Sequence, residues 1–405
     1  MIKRLIPLIL SVALIFSGCS LLPTSGTKKF VYNSTEDESV SSVDEQEFLK
    51  KFTAKGFQFV RYEDNTCAKM FKISEFQKYG RTVKLLVING NQNYLICPKD
   101  FSVDEVKSEF SDELTVITQG VSNIYLAATA AGADFRAINA IDAIGYSSIK
   151  SSDWYVPEIK NAMDNGSIQF AGKYSAPDYE LLKSKEVPLA VESTMILHTP
   201  AVREKLIKLG IPVFIDYSSY ESSAQARMEW VKVYGLLTGR EQEAESFFKE
   251  KYKEIEDVSN LEKTGKTCAF FSIDASGNPV VRTSTDYIPA MIADSGGSYV
   301  FTDIENPNKD SHSAQVSVTF EEFYKTAKDA DVLIINTTIE GGFSSVSDLE
   351  KVNGLFSDFK AVSTGEVYQT SESLYQSVDK SAEIIKDMHR IFAGEKPQEF
   401  FTRLS

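Results

Sequence analysis

Beyond residue 114 the chain alternates short apolar strands with amphipathic helices, and it does so twice, on either side of a nearly continuous helical stretch at 224–260. Such alternation implies parallel strands joined by crossover helices. In the first series, 115–118, 168–172, 188–191 and 212–216 read as strands, and 125–131, 154–164, 178–185 and 199–210 as helices. Thr199-Pro200 supplies an N-cap and a first-position proline, and Gly210 closes that helix. In the second series, 267–273 and 331–336 read as strands, and 286–294, 320–328 and 379–392 as helices. The middle stretch breaks at Gly239 and keeps Ala244, Phe247, Phe248, Tyr252 and Ile255 on one apolar stripe. The predicted fold class is α/β. It comprises a first lobe at 115–222, a helical linker at 223–262 that permits only modest hinge motion, and a second lobe at 263–405. A ligand belongs between the lobes, where loops leave the carboxyl ends of the strands.

Residues 47–114 read as a small β-rich extension. Residues 57–62 alternate apolar and polar, 84–88 form a second strand, and Asn89-Gly90-Asn91 turns the chain into a third at 94–97. No chemistry is legible there. At the start, Lys3 and Arg4 precede the apolar run 5–16, which falls short of the roughly twenty residues a membrane span needs. That run suits a signal peptide over 1–18. It ends in Ser17-Gly18-Cys19, which resembles the lipobox of bacterial lipoproteins and implies acylation of Cys19. Residues 19–46 are polar and read as a flexible tether.

The net charge of −14 argues against nucleic acid or an anionic membrane surface as partner, leaving the lipid anchor as the membrane contact. The chain contains no CxxC, and a Cys67–Cys97 bridge and separate buried thiols both remain open. The histidines, His198, His312 and His389, are far apart, and neither H-x-x-x-H nor H-E-x-x-H occurs. A bare metal site is therefore not expected. Neither a G-x-S-x-G elbow nor a phosphate-binding G-x-x-x-x-G-K-[ST] loop is present, so the sequence offers no motif for a serine hydrolase or for ATP hydrolysis by this chain.

Four blocks then carry a resemblance. Residues 171–182, Ala-Gly-Lys-Tyr-Ser-Ala-Pro-Asp-Tyr-Glu-Leu-Leu, are one. Met291-Ile292-Ala293-Asp294-Ser295-Gly296-Gly297, Val318-Thr319-Phe320-Glu321-Glu322-Phe323 and Asp329-Ala330-Asp331-Val332-Leu333-Ile334 are the others. In this order, around a long helical stretch, they resemble the solute-binding proteins of iron–siderophore, haem and cobalamin ABC importers. Val187-Pro188-Leu189-Ala190 and Ala330 depart from the family's usual Pro-Asp strand starts. The resemblance implies a non-enzymatic receptor that captures an iron chelate, haem or a corrinoid without a cofactor and hands it to a permease coupled to a separate ATPase. It further implies that Glu180 and Glu321, one per lobe, engage arginines of the permease. The plain alternative is two acids favoured by helix dipoles. A hydrolase, or a surface lipoprotein without transport, is the competing reading on the same frame.

Candidate ligand contacts follow from position. Trp154, Tyr155 and Tyr174 sit at loop–helix junctions, where aromatics either stack on a planar ligand or pack in the core. Glu192, Ser193 and Thr194 follow one buried strand, and Tyr217 and Tyr220 follow the next. Arg227 either meets an anionic ligand or pairs on the surface with Glu229 or Glu221, and His312 lies in a loop that can face the cleft.

Overall fold

The computed structural model describes residues 50–405 apart from 51, 91, 102–105, 107–113, 308–312 and 339–340. The signal peptide, Cys19, the tether and His312 lie outside the described residues.

The extension is a five-stranded sheet, β1 (Gln58–Glu63), β2 (Phe71–Lys78), β3 (Arg81–Ile88), β4 (Gln92–Cys97) and β5 (Thr115–Thr118), in that order. Its first four strands form an antiparallel meander, and β5 pairs parallel to β4. This corrects the boundary drawn at 114. The run Thr-Val-Ile-Thr is apolar enough for either sheet, and its pairing partner, invisible locally, decides the matter. The sequence reading also missed β2. Lys78 pairs with Arg81, so Tyr79-Gly80 is a two-residue turn with φ of 54 and 72 at its two positions. Such turns usually carry Asn or Asp at the first place, which Tyr79 disguises.

Strand alternation gives the sheet two buried faces. Phe71, Ile73, Leu86, Ile88, Tyr94 and Ile96 join the main core, while Phe57, Phe76, Val83, Leu85 and Leu95 form a separate smaller one. Two buried carboxylates clamp the sheet's 66–70 loop to the linker. Glu229 accepts the backbone N–H groups of Thr66, Cys67 and Ala68 at 2.7, 2.7 and 2.8 Å. Glu221 accepts those of Lys69 at 3.0 Å and Met70 at 2.9 Å, plus Trp230 Nε1 at 3.1 Å. Five successive amides are thereby satisfied.

The first lobe holds β6 (Ile124–Leu126), β7 (Ile144–Ser147), β8 (Gln169–Phe170), a short hairpin β9 (Gly172–Lys173) with β10 (Ala176–Pro177), β11 (Ala190–Ser193) and β12 (Val213–Asp216). The order β12-β11-β6-β7-β8 is parallel throughout. Its helices are α1 (Ala131–Ala137), α2 (Pro157–Asp164), α3 (Tyr179–Ser184) and α4 (Pro200–Lys208). Residues 125–131 are thus not a helix. Tyr125 N and Ala127 N donate to Leu189 O and Val191 O at 3.0 and 2.7 Å, so strand pairing overrides the helical preference of the alanines.

The linker is three helices rather than one rod: α5 (Ala224–Met228), α6 (Val231–Thr238) and α7 (Glu241–Ser259). Gly239, at φ 74, lets α6 and α7 fold against each other, and a Cβ on Gly235 would lie 2.6 Å from that of Ala244. Phe135 of α1 meets Tyr234 of α6 with ring centroids 5.0 Å apart.

The second lobe contains β13 (Thr267–Ile273), β14 (Pro279–Arg282), β15 (Ser298–Tyr299), β16 (Gln315–Ser317), β17 (Val332–Ile335), β18 (Val367–Thr370) and β19 (Phe401–Arg403). β13, β17 and β18 are parallel neighbours, with antiparallel strands at both edges. α8 (Tyr287–Asp294), α9 (Phe320–Ala327), α10 (Val346–Val352), α11 (Lys360–Thr364) and α12 (Ser381–Ala393) complete it. Asp286 caps α8 by accepting Ile288 N at 2.9 Å, and Thr319 with Glu322 forms a capping box on α9. No helix among the described residues is long and apolar enough to cross a membrane.

Candidate functional site

The segments at the carboxyl ends of β7 and β18 meet across the lobes, and those after the other parallel strands leave the same ends of their sheets. From the first lobe come the segments after β7, β11 and β12; from the second come those after β13, β17 and β18.

After β12, Tyr217 is buried and Tyr220 half-buried, with their rings perpendicular at a centroid separation of 5.3 Å. Tyr220 is hydrogen-bonded to the half-buried Thr194, so the loops after β11 and β12 are joined. Ser193 caps its own short turn, its Oγ accepting Met195 N at 3.4 Å. Tyr174, also half-buried, lies in the turn of the β9–β10 hairpin. Ser193 ends β11, and the other four lie in the segments beyond the strands of the first lobe.

Three other candidates are placed differently. Trp154 is a core residue. It is 2 % exposed, its Nε1 donates to Ser147 Oγ at 2.9 Å, and a Cβ on Gly132 would come within 2.7 Å of its ring. Glu192 is fully buried, and neither carboxylate oxygen finds a hydrogen-bond partner among the described residues. Alternation along β11 turns it to the opposite sheet face from Ser193. There Tyr125 and Tyr179 feel its charge, and burial pushes its carboxyl up to about 8. Arg227 is not a surface residue paired with Glu229 or Glu221, since both acids hold the 66–70 loop. It is 6 % exposed, with its guanidinium 3.9 Å from the Tyr287 ring centroid. It lines a recess of ≈ 310 Å³ between the linker and the second lobe, with Tyr287, Met291, Leu374 and Ser377. Asp134, Asp216 and Asp286 all feel its charge, yet burial still raises each of the three carboxyls above its ordinary range.

Tyr155 remains on the rim, 41 % exposed, but its hydroxyl donates to Glu372 of the second lobe at 2.6 Å. The second lobe contributes residues the sequence reading passed over. Asn336 Nδ2 donates to Tyr375 Oη at 2.7 Å, and Arg282 also bonds Tyr375. Thr337 Oγ1 donates to Thr370 O at 2.8 Å. Ile273, Asp274, Asn336, Gly342 and Phe343 line a second recess of ≈ 580 Å³. Asp274 and Asn336 each follow an apolar strand directly, the rule that found Ser193 and Tyr217.

Glu180 and Glu321 are both exposed, in the first turns of α3 and α9. Glu322 rather than Glu321 closes the capping box, leaving Glu321 outside it. His198 is exposed, and His389 Nδ1 lies 3.0 Å from Ser295 O, tying α12 to the end of α8. Among the described residues no cluster of three or more His, Cys, Asp or Glu side chains can hold a metal. Cys67 and Cys97 are free thiols, pushed up to about 11 and about 12, chiefly by burial.

No family model matches the chain. An uncharacterized lipoprotein of Methanocaldococcus jannaschii is 24 % identical over 97 % of this chain and 94 % of its own length. A second uncharacterized lipoprotein of that organism is 29 % identical over 54 % of this chain and 56 % of its own. Among solved structures, a periplasmic binding protein from Veillonella parvula aligns with TM-score 0.57 at 15 % identity, covering 80 % of this chain and 98 % of its own. That share exceeds what the two lobes alone provide. The triscatecholate siderophore binding protein of Bacillus subtilis gives 0.53 at 16 % identity, covering 69 % and 95 %. The periplasmic haem binding protein of Vibrio cholerae gives 0.52 at 13 %, covering 65 % and 96 %. The chain therefore has the two-lobed α/β fold of periplasmic binding proteins.

Proposed function

We propose that this protein is the lipid-anchored, extracytoplasmic substrate-binding component of an ABC importer, and that it is a receptor rather than an enzyme. The observation that carries the reading is the meeting of strand-end segments from the two lobes, in a fold shared with proteins named for siderophore and haem binding. The ligand class is an iron chelate, haem or a corrinoid. Tyr174, Ser193, Thr194, Tyr217 and Tyr220 contact it from the first lobe, and Asn336 and Asp274 from the second. Aromatic faces suit a planar or catecholate ligand, and the hydroxyls supply orientation. The lipobox at Cys19 and the relatives named as lipoproteins support the anchor. Glu180 and Glu321, one exposed acid per lobe, support docking on a permease through arginine pairs.

The test joins binding to transport. Titration with haemin, cobalamins and ferric siderophores should show saturable binding at one site per chain. Paired alanine changes at Tyr217 and Tyr220 should weaken it by at least about 1 kcal/mol. Glu180→Arg and Glu321→Arg should leave affinity intact and suppress uptake in vesicles holding the cognate permease. Saturable binding with unchanged affinity in the tyrosine variant would move the site, and full transport by the double arginine variant would remove the docking assignment.

A further inference from the structure

One side of the interlobe gap is bridged by side chains, and among the described residues every bridge involves the segment that follows β18. Tyr155 Oη donates to Glu372 Oε2 at 2.6 Å. Gln376 Nε2 donates to Asp153 O at 3.0 Å, while its Oε1 accepts Tyr155 N at 2.9 Å. Deeper in, Arg136 Nε donates to Asp379 Oδ2 at 2.7 Å and Nη2 to Oδ1 at 2.5 Å. Gln376 thus pairs its amide, donor and acceptor together, with the backbone of the opposite lobe. That two-point match fixes register as well as distance, because a shift along the chain loses both bonds. The segment is also braced internally. Ser371 Oγ lies 2.7 Å from Ser373 Oγ, and Ser377 Oγ donates to Ser373 O at 2.9 Å.

The outer bridges, those of Tyr155 and Asp153, differ in kind from the contacts on the linker side and from the part-buried Arg136–Asp379 pair. There, packed rings and fully buried side chains join the elements. Here Asp153, Tyr155 and their hydrogen bonds to Gln376 and Glu372 are exposed. Exposed hydrogen bonds exchange readily with water and open at low cost. Tyr155 and Glu372 therefore release each other without disturbing either core.

We infer that residues 371–377 form a strap across the mouth of the interlobe cleft, and that Gln376 is the positioning residue that holds the closed spacing of the lobes. The inference rests on the proposed capture of a ligand between the lobes. Opening the strap exposes Tyr155 and Glu372 together and admits ligand on that side. Closing it restores the two-point amide match and slows release.

Hydrogen exchange on the full-length protein tests the strap without any ligand. Gln376→Ala should speed exchange of the Tyr155 amide at least about tenfold while amides of β6 and β13 keep their protection. Gln376→Glu, which retains the acceptor for Tyr155 N and loses the donor for Asp153 O, should fall between. Spin labels on cysteines replacing the exposed Lys160 and Lys396, in a Cys67→Ser background, should report a longer or broader interlobe distance in Gln376→Ala. Haemin serves as the binding probe, and its dissociation should be faster from the variant. Unchanged Tyr155 exchange overturns the strap. Faster exchange with an unmoved distance distribution makes Gln376 a local contact and overturns its positioning role. Failure of haemin to bind the wild-type protein counts against haem as ligand, while the exchange and distance results still decide the strap.

Discussion

Removing the Glu229 carboxylate should unfasten the extension from the rest of the molecule. In Glu229→Ala, three backbone N–H groups lose their acceptor at once, and Lys232 loses a partner 3.0 Å away. Hydrogen bonds to a charged group contribute roughly 1.5–3 kcal/mol each, which would sum to well over 4 kcal/mol if nothing compensated. Two effects offset the loss. Thr66 is exposed and Cys67 half-buried, so both can bond water once the loop lifts, whereas Ala68 is 7 % exposed and cannot without moving. Lys232 keeps Glu245 at 3.2 Å, so no charge is stranded. Breaking one side of a buried charged pair typically costs about 3–5 kcal/mol, and that range is expected here. Glu229→Gln keeps one acceptor and sets its NH2 against a backbone N–H, so roughly 2 kcal/mol is expected. Urea unfolding gives the cost, and hydrogen exchange at 66–70 locates it. Glu221 acts on the same loop, so Glu221→Ala and Glu229→Ala should combine to less than their sum. A cost under about 1 kcal/mol for Glu229→Ala, with the Ala68 amide still protected, would refute the clamp.

Further outcomes follow from single positions. The Glu192 carboxyl stands at about 8 in the folded protein, against 4.5 when free, so the folded state holds a proton that the unfolded chain releases. Stability should therefore fall as pH rises between those values, by on the order of 4 kcal/mol, and Glu192→Gln should flatten the profile in melts at pH 5 and pH 8. A wild-type profile no steeper than that of the variant would show that Glu192 is ionised when buried. Gly132→Ala sets a methyl 2.7 Å from the Trp154 ring and 2.8 Å from Ile159 Cδ1, and should cost about 1–3 kcal/mol in urea unfolding. The Cys67 thiol, raised to about 11, should alkylate far more slowly at pH 8 than a free peptide thiol; equal rates would contradict its burial.

How much the sequence disclosed depended on whether a signal was local. The strand at Val332–Ile335, the helix capped by Thr319 and the proline start at Pro200 were readable because apolar runs and caps act over a few residues. The loops bearing Ser193, Tyr217 and Tyr220 followed from the same strands. Partners far apart in the chain were not readable. Thr115–Thr118 pairs with β4 rather than with the lobe it precedes, and Tyr125 enters a sheet because Leu189 is there to receive its N–H. Glu221 and Glu229 look like ordinary surface acids until a loop some 150 residues earlier brings its amides to them. The surface pairing open to Arg227 fails for the same reason, because Glu229 and Glu221 are already engaged.

These long-range contacts also determine where the molecule can move. The extension packs on the first lobe through Tyr94, whose hydroxyl donates to Val213 O at 3.0 Å and whose ring lies 5.2 Å from that of Phe214, and it is clamped to the α5–α6 junction. Lys84 and Gln119 hold Glu241 at the start of α7, the latter at 2.7 Å. Lys251, further along α7, pairs with Glu383 of α12 at 2.7 Å, and Glu254 pairs with Lys386. One 19-residue helix therefore runs from the extension to the second lobe, anchored at both ends by charge. A helix resists stretching, so the lobes can separate only by pivoting about α7. On the bridged side, the contacts of Tyr155 with Gln376 and Glu372 are exposed, whereas the Arg136–Asp379 pair beside them is part-buried. The exposed Tyr155 contacts are therefore the first interlobe bonds to part as the lobes pivot, and the part-buried Arg136–Asp379 pair is the last to yield.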